Sequence, residues 1–142
     1  MVAPMLFALA CDRRPATVYA TVNAPSDRGV VHREVRVAVD RAVTLAGDFA
    51  APRASVSTAV PAVLLLSGSG AQDRDGARTE LPGYRPFADI ADTLLAAGFA
   101  VLRLDDRGMG ASTGRFEGAT TEDFARDAAA AVAWLRRQPR VQ

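Results

Sequence analysis

Lysine is missing from this chain, and cysteine and histidine occur once each. A single cysteine, Cys11, excludes an internal disulfide and fits neither a zinc cluster nor a redox pair. All 17 cationic residues are arginine, which together with the abundant alanine reads as a base-composition habit of the source genome. Those 17 stand against 16 acidic residues, for a net charge of +1. Neither sign gathers into a long block, so the pattern of a nucleic-acid-binding or polybasic membrane surface is absent. No apolar run approaches the ~18 residues expected of a membrane span. What is present is 142 residues with 49% hydrophobic content, enough for one globular domain with its own core.

Residues 1–29 read as a leader and linker, and residues 30–142 as the folded part. Met1 to Ala10 is apolar and ends in Ala-Leu-Ala before Cys11, in the manner of the small-residue site that precedes a lipidated cysteine. A basic flank is lacking and the apolar run is short, so a disordered leader is the expectation and a remnant export signal the alternative. The compartment stays open between cytoplasmic and exported. At most one short strand, near Thr17 to Val22, is expected before Gly29.

From Val31 onward the pattern turns periodic. Val31, Arg33, Val35, Val37 and Val39 fall on one side of a strand, and His32, Glu34, Arg36 and Ala38 on the other. A second alternation of Val43, Leu45, Gly47 and Phe49 follows, which predicts an antiparallel hairpin with one buried face. Residues 50–61 read as a surface connection. Ala62 to Leu66 is a continuous apolar run, as in a strand buried on both faces, and it stops at Ser67-Gly68-Ser69-Gly70 before the charged Asp73-Arg74-Asp75. Pro86 suits the first turn of a helix, with Phe87, Ile90, Ala91, Leu94 and Leu95 at helical spacing and Gly98 as its stop. Ala100 to Leu104 is the next buried strand and runs into Asp105-Asp106-Arg107-Gly108-Met109-Gly110. A last helix starts at Thr120 or Thr121 with Glu122 and Asp123 in its first turn, and Phe124, Ala128, Val132 and Leu135 form its apolar stripe. Strand, helix, strand implies a parallel crossover, with both glycine-bearing loops at the carboxyl edge, where α/β proteins place ligands.

Glycines in the first loop let backbone N–H groups face a cleft unobstructed, and one such donor aimed at a developing alkoxide is half of an oxyanion hole. A tight turn after a strand explains the same four residues equally simply. A carboxylate metal site from Asp73, Asp75 and Asp105 lacks ligand spacing, and the interleaved arginines favour ion pairs. No metal or other cofactor is expected.

Three stretches together carry a resemblance: Leu-Leu-Ser-Gly-Ser-Gly-Ala-Gln-Asp-Arg-Asp-Gly, Arg-Pro-Phe-Ala-Asp-Ile-Ala-Asp, and Ala-Val-Leu-Arg-Leu-Asp-Asp-Arg-Gly-Met-Gly-Ala-Ser-Thr-Gly. In order and spacing the chain resembles the α/β-hydrolase superfamily over about residues 31–140, nearest to bacterial esterase, dienelactone-hydrolase and serine-aminopeptidase-like members. The resemblance implies a three-layer α/β fold, here an N-terminal antiparallel hairpin followed by strand-helix-strand-helix. It also implies hydrolysis of an ester or amide bond by acyl transfer on a small-molecule ester or peptide-like substrate. The family usually reads His-Gly-x in the first loop; carried over, Ser67 stands at the His, Gly68 at the Gly, and Ser69 or Gly70 at the oxyanion donor. Asp105, Arg107, Gly108, Gly110 and Ser112 match the family's Asp-x-Arg-Gly-x-Gly-x-Ser, where a buried Asp and Arg brace the loops, with Asp73, Arg74 and Asp75 expected to join them.

Gly110-Ala111-Ser112-Thr113-Gly114 satisfies Gly-x-Ser-x-Gly, yet a nucleophile elbow needs a strand running straight into the turn and a helix leaving it at once. Here the strand ends near Leu104 and no helical signal follows Gly114, so Ser112 is expected to be a loop residue. His32 lies in the first strand, away from both loops, and reads as a surface residue. The family's elbow, acid and histidine would follow a fifth strand, for which Val141 is the candidate first residue. No nucleophile, acid and histidine set is therefore expected in this chain. Its place in the family's sheet order makes Ala62 to Leu66 an exposed apolar edge, which favours self-association or aggregation. Two rival readings remain. A Rossmann domain would use Gly108-Met109-Gly110, but the third glycine falls at 114 and no helix begins there. The other is a non-catalytic interaction module or the product of a degraded gene.

Overall fold

The computed structural model of the chain describes residues 29–53, 59–68 and 70–142. The short strand expected at Thr17 to Val22, the segment around Cys11 and the donor position Ser69 lie outside the described residues. The elements run β1 (Val30–Ala38), β2 (Thr44–Pro52), β3 (Ala62–Leu65), α1 (Pro86–Ala96), β4 (Ala100–Leu104) and α2 (Thr121–Arg136). They form a mixed four-stranded sheet in the order β1-β2-β4-β3. β1 and β2 are the antiparallel hairpin, β2 runs antiparallel to β4, and β4 runs parallel to β3. The α/β-hydrolase-type hairpin followed by strand-helix-strand-helix is therefore the observed architecture.

Between β1 and β2 the chain reverses on Asp40, whose Oδ1 accepts hydrogen bonds from the Ala42 and Val43 N–H groups at 2.7 and 2.8 Å. This local acceptor fixes the tight turn. β2 departs from the expected single buried face, because Leu45, Ala46, Gly47 and Asp48 are all buried in sequence. α1 covers one of its faces, at Ala50, and α2 the other, at Leu45. β2 also continues to Pro52, paired with Val30, which shortens the expected 50–61 connection. A proline is tolerated there because it ends the strand.

Alternation along the central strands divides the interior in two. Val101 packs with Ala50, Ala91 and Leu95 beneath α1. Leu102 packs on the opposite face with Val35, Ala131 and Leu135 of α2. β4, the most enclosed strand, thus feeds both cores, and Ala100, Val101 and Leu102 have no exposed surface. β3 differs from the expected strand buried on both faces: each of its residues is only half-buried because it lies at the sheet edge. Beyond it, Val60 forms a parallel bridge with Val141, so the chain after α2 comes alongside β3.

Both helices form for legible reasons. Pro86 starts α1, and Gly98 at φ 92° follows its end, a conformation that glycine adopts without a Cβ penalty. α2 opens on a reciprocal capping box, the Thr120 hydroxyl accepting from the Asp123 N–H and the Asp123 carboxylate from the Thr120 N–H. Its inward stripe is Phe124, Asp127, Ala131 and Leu135, whereas Val132, placed in the stripe by sequence spacing, is exposed. The rotation follows from Asp127, a buried carboxylate in an alanine-rich helix with an arginine to meet.

Candidate functional site

β3 and β4 are parallel neighbours, so Ser67-Gly68 and Asp105-Asp106 leave the sheet side by side at one edge. With Leu45, Leu65, Leu66, Leu104, Phe116, Phe124 and Asp127 they line a concavity of about 220 Å³. That volume falls below the ~300–1,000 Å³ of pockets that enclose a small ligand, so these walls alone make part of a site. Gly68 and Gly70 are exposed. A Cβ added at either would meet nothing within 4 Å, and Gly70 has φ 83°. At Gly70 the left-handed backbone calls for glycine; at Gly68 the space is simply open.

Two arginine clamps hold the loops. Arg74 reaches Asp105 with its backbone N–H at 2.9 Å, Nε at 3.1 Å and Nη2 at 2.9 Å, and its Nη1 donates to Glu34 of β1 at 2.6 Å. Asp105 is only 3% exposed. Burial works to raise its pKa, but the Arg74 side-chain and backbone hydrogen bonds and the Arg74 charge outweigh it and hold the carboxyl below the usual carboxylate value. Arg107 is clamped elsewhere, donating from Nε and Nη2 to Asp127 at 2.8 Å each and from Nη2 to the Asp123 carbonyl at 3.0 Å. The hydrogen bond to Asp127 raises the Arg107 pKa despite burial. Its guanidinium also lies 5.7 Å from the centre of the Phe124 ring, within cation–π range.

Asp73 and Asp75 do different work. Asp73 Oδ1 accepts from the Asp75 and Ala77 N–H groups at 3.0 Å each, which shapes the turn. Asp75 pairs with Arg103, and Arg103 Nη2 donates at 3.2 Å to the buried Asp48. His32 Nδ1 sits 3.1 Å from the same Asp48 oxygen, with the histidine side chain 51% exposed. His32 thus borders the far end of an ionic chain, and among the described residues no serine hydroxyl hydrogen-bonds to it.

Ser112 is a bolt in the β4 loop. Its Oγ donates to the Asp105 carbonyl at 2.9 Å and accepts from the Ala46 N–H at 2.8 Å. Thr113 beside it donates to the Ala42 carbonyl and accepts from the Thr44 N–H. No strand runs into this turn and no helix leaves it, since β4 ends at Leu104 and α2 begins at Thr121.

Four participants were not singled out by the sequence reading: Asp48, Arg103, Asp106 and Asp127. Asp48 and Arg103 oppose each other across β2 and β4, and each is a lone charge inside an apolar strand. That is the signal that could have paired them, since buried charges are rarely unpartnered. Asp106 receives the Ser67 hydroxyl at 2.5 Å and the Gln72 N–H at 2.9 Å, so it joins the two glycine loops directly.

A family model described as X-Pro dipeptidyl-peptidase (S15 family) matches residues 40–142. Comparison with curated proteins found no match. Among solved structures, hypothetical protein PA2218 from Pseudomonas aeruginosa superposes with a TM-score of 0.65 at 26% identity, over 83% of this chain and 34% of that one. The alpha/beta hydrolase GrgF from Penicillium sp. sh18 gives a TM-score of 0.56 at 23% identity, over 79% of this chain and 34% of that one. DcsB, solved in complex with its substrate analogue, gives 0.55 at 22%, over 79% and 34%. The chain thus spans about a third of the length of these structures.

Proposed function

The chain belongs to the X-Pro dipeptidyl-peptidase (S15) family, an α/β-hydrolase-type family, and from that premise we propose that it supplies the oxyanion side of a serine hydrolase cleaving amide or ester bonds by acyl transfer. The observation that carries the reading is the juxtaposition of Ser67-Gly68 with Asp105-Asp106 at one sheet edge, over a mostly apolar concavity. Backbone N–H groups of the 68–70 loop are the donors for a developing oxyanion, and rigid placement is what gives such donors their value. Asp73, Arg74, Asp75, Asp105 and Arg107 supply the rigidity. Arg74 pairs with Asp105, Arg103 with Asp75 and Arg107 with Asp127.

The nucleophile, acid and histidine belong, on this reading, to a longer polypeptide. The family's description favours an amide bond following proline; an ester remains the alternative substrate. Fluorophosphonate labelling and turnover of p-nitrophenyl acetate and a proline-anilide should be compared for this chain and for one extended through the following coding sequence. Labelling and turnover in the extended form alone are the expected result. Labelling of the short chain, lost on Ser112→Ala, would refute the division of labour, and an inert extended form would refute hydrolysis.

A further inference from the structure

We propose that Asp106 is the positioning residue of the oxyanion loop, a staple that closes the loop from both ends; this rests on the hydrolase reading above. Ser67 and Gln72 bracket the segment 68–71 that holds the candidate donors. Both are held by Asp106: the Ser67 hydroxyl donates to Oδ1 at 2.5 Å, and the Gln72 N–H to Oδ2 at 2.9 Å. The Asp106 N–H in turn donates to the Gln72 carbonyl at 3.1 Å. One residue at the exit of β4 therefore fixes where the loop leaves β3 and where it returns.

Three features of the molecule make this more than a surface contact. First, the two carboxylate oxygens are divided between the two ends of the loop, so rotating the side chain to satisfy one partner releases the other. Second, Asp106 follows Asp105 directly, and Asp105 is locked by Arg74; the backbone from which the staple reaches out is itself fixed. Third, Gly68 and Gly70 have no atoms beside them where a side chain would stand. At the described positions Gly68 and Gly70 the loop is therefore held by its two bracketing anchors rather than by packing on the Cβ side. Ser67 takes the position of the family's usual histidine, and its hydroxyl is engaged with the neighbouring loop by way of Asp106.

Asparagine can keep this arrangement with the charge removed. Its Oδ1 accepts from the Gln72 N–H while its Nδ2 donates to the Ser67 oxygen, which can accept as well as donate. Alanine can do neither. The test is hydrogen–deuterium exchange on this chain, followed in the peptide that covers residues 67–72 and in one that covers β4. Asp106→Ala should speed exchange in the loop peptide about tenfold, consistent with loss of one or two hydrogen bonds. Asp106→Asn should stay within about threefold of the parent, and the β4 peptide should be unchanged in both. Equal loosening by Asn and Ala, or no loosening by either, overturns the staple. Exchange in β4 rising with the loop would show global unfolding and overturn it too. In the extended, labelling-competent form, Asp106→Ala should lower kcat with little change in KM, and Asp106→Asn should restore most of it. An inert extended form leaves the exchange result standing, so failure of the hydrolase reading is told apart from failure of the staple.

Discussion

The Arg107 guanidinium meets the Asp127 carboxylate through two hydrogen bonds of 2.8 Å, and both residues are 7% exposed. This pair joins the loop after β4 to the first turns of α2 from inside the protein. A buried pair need not stabilise a fold relative to apolar residues, but breaking one side of it leaves an unpartnered charge. Arg107→Ala or Asp127→Ala should each destabilise the chain by about 3–5 kcal/mol, and the double variant should lose markedly less than the sum. Urea titration of the four proteins would measure this; additive losses would mean that the two groups act independently.

Ser112 carries the one Gly-x-Ser-x-Gly match in the chain, and its hydroxyl is already engaged as donor to Asp105 and acceptor from Ala46. Ser112→Ala should cost about 1–3 kcal/mol, through the unsatisfied Ala46 N–H and Asp105 carbonyl. Any hydrolysis by the extended form should be unaffected once the protein is folded. A variant of unchanged stability that had lost fluorophosphonate labelling would reverse this assignment.

Gly110 tests the same loop sterically. It has φ 51°, and an added Cβ would stand 2.5 Å from Asp105 Oδ2. The Arg74 clamp prevents that carboxylate from swinging aside freely. Gly110→Ala should therefore destabilise by more than the ~1 kcal/mol of an ordinary left-handed alanine, whereas Gly68→Ala, which faces open space, should be close to neutral. Thermal unfolding of the two variants side by side would decide it.

Most of the fold was legible because its signals are local. Val35 and Val37 alternate into the core, Pro86 and Gly98 punctuate α1, and Thr120 caps α2. What escaped is what only three dimensions create. β2 reads as a half-buried strand until α1 and α2 are known to cover its two faces, whereas the edge place of Ala62 to Leu65 was already implied by the family's sheet order. The α2 stripe was misplaced because apolar spacing counts Val132 and discounts Asp127, whose burial depends on an arginine 20 residues away. At the site, the loops and their charged character were visible, but not the partners: Asp106 looked like the variable position of a motif, and its bond to Ser67 spans 39 residues.

Acid should loosen the Arg74–Asp105 clamp. The folded pKa of Asp105 lies below the ordinary value of 3.8, so the folded state binds fewer protons than the unfolded state in that region. Its contribution is complete above the unfolded pKa near 4 and is lost as pH falls through the lower folded value. Asp40 and Asp123 are shifted in the same direction, Asp40 by the Ala42 and Val43 N–H groups and Asp123 by the Thr120 N–H and hydroxyl. The melting temperature should thus be flat from about pH 5 to 8 and fall below about pH 4. Arg74→Met should flatten part of that acid limb; an unchanged limb would mean that the Arg74–Asp105 clamp does not contribute to it.

β3 should promote self-association. It is the edge strand of the sheet, Leu66 at its end is 55% exposed, and Ala62, Leu64, Val132, Leu135 and Val141 line a shallow apolar surface beside it. Among the described residues, the outer side of this edge meets the Val60–Val141 bridge, with its bonds from Val60 N–H to the Arg140 carbonyl and from Gln142 N–H to the Val60 carbonyl. An open strand flanked by apolar side chains is a template for pairing with another chain, and charge on such an edge opposes it. The chain should accordingly self-associate at micromolar concentration in light scattering or sedimentation. Leu66→Lys should shift it toward monomer, because Leu66 is exposed at the end of the strand and the lysine would stand in solvent while leaving the β3–β4 ladder intact. A sharp, concentration-independent monomeric unfolding transition for the parent chain would show that the edge is already protected.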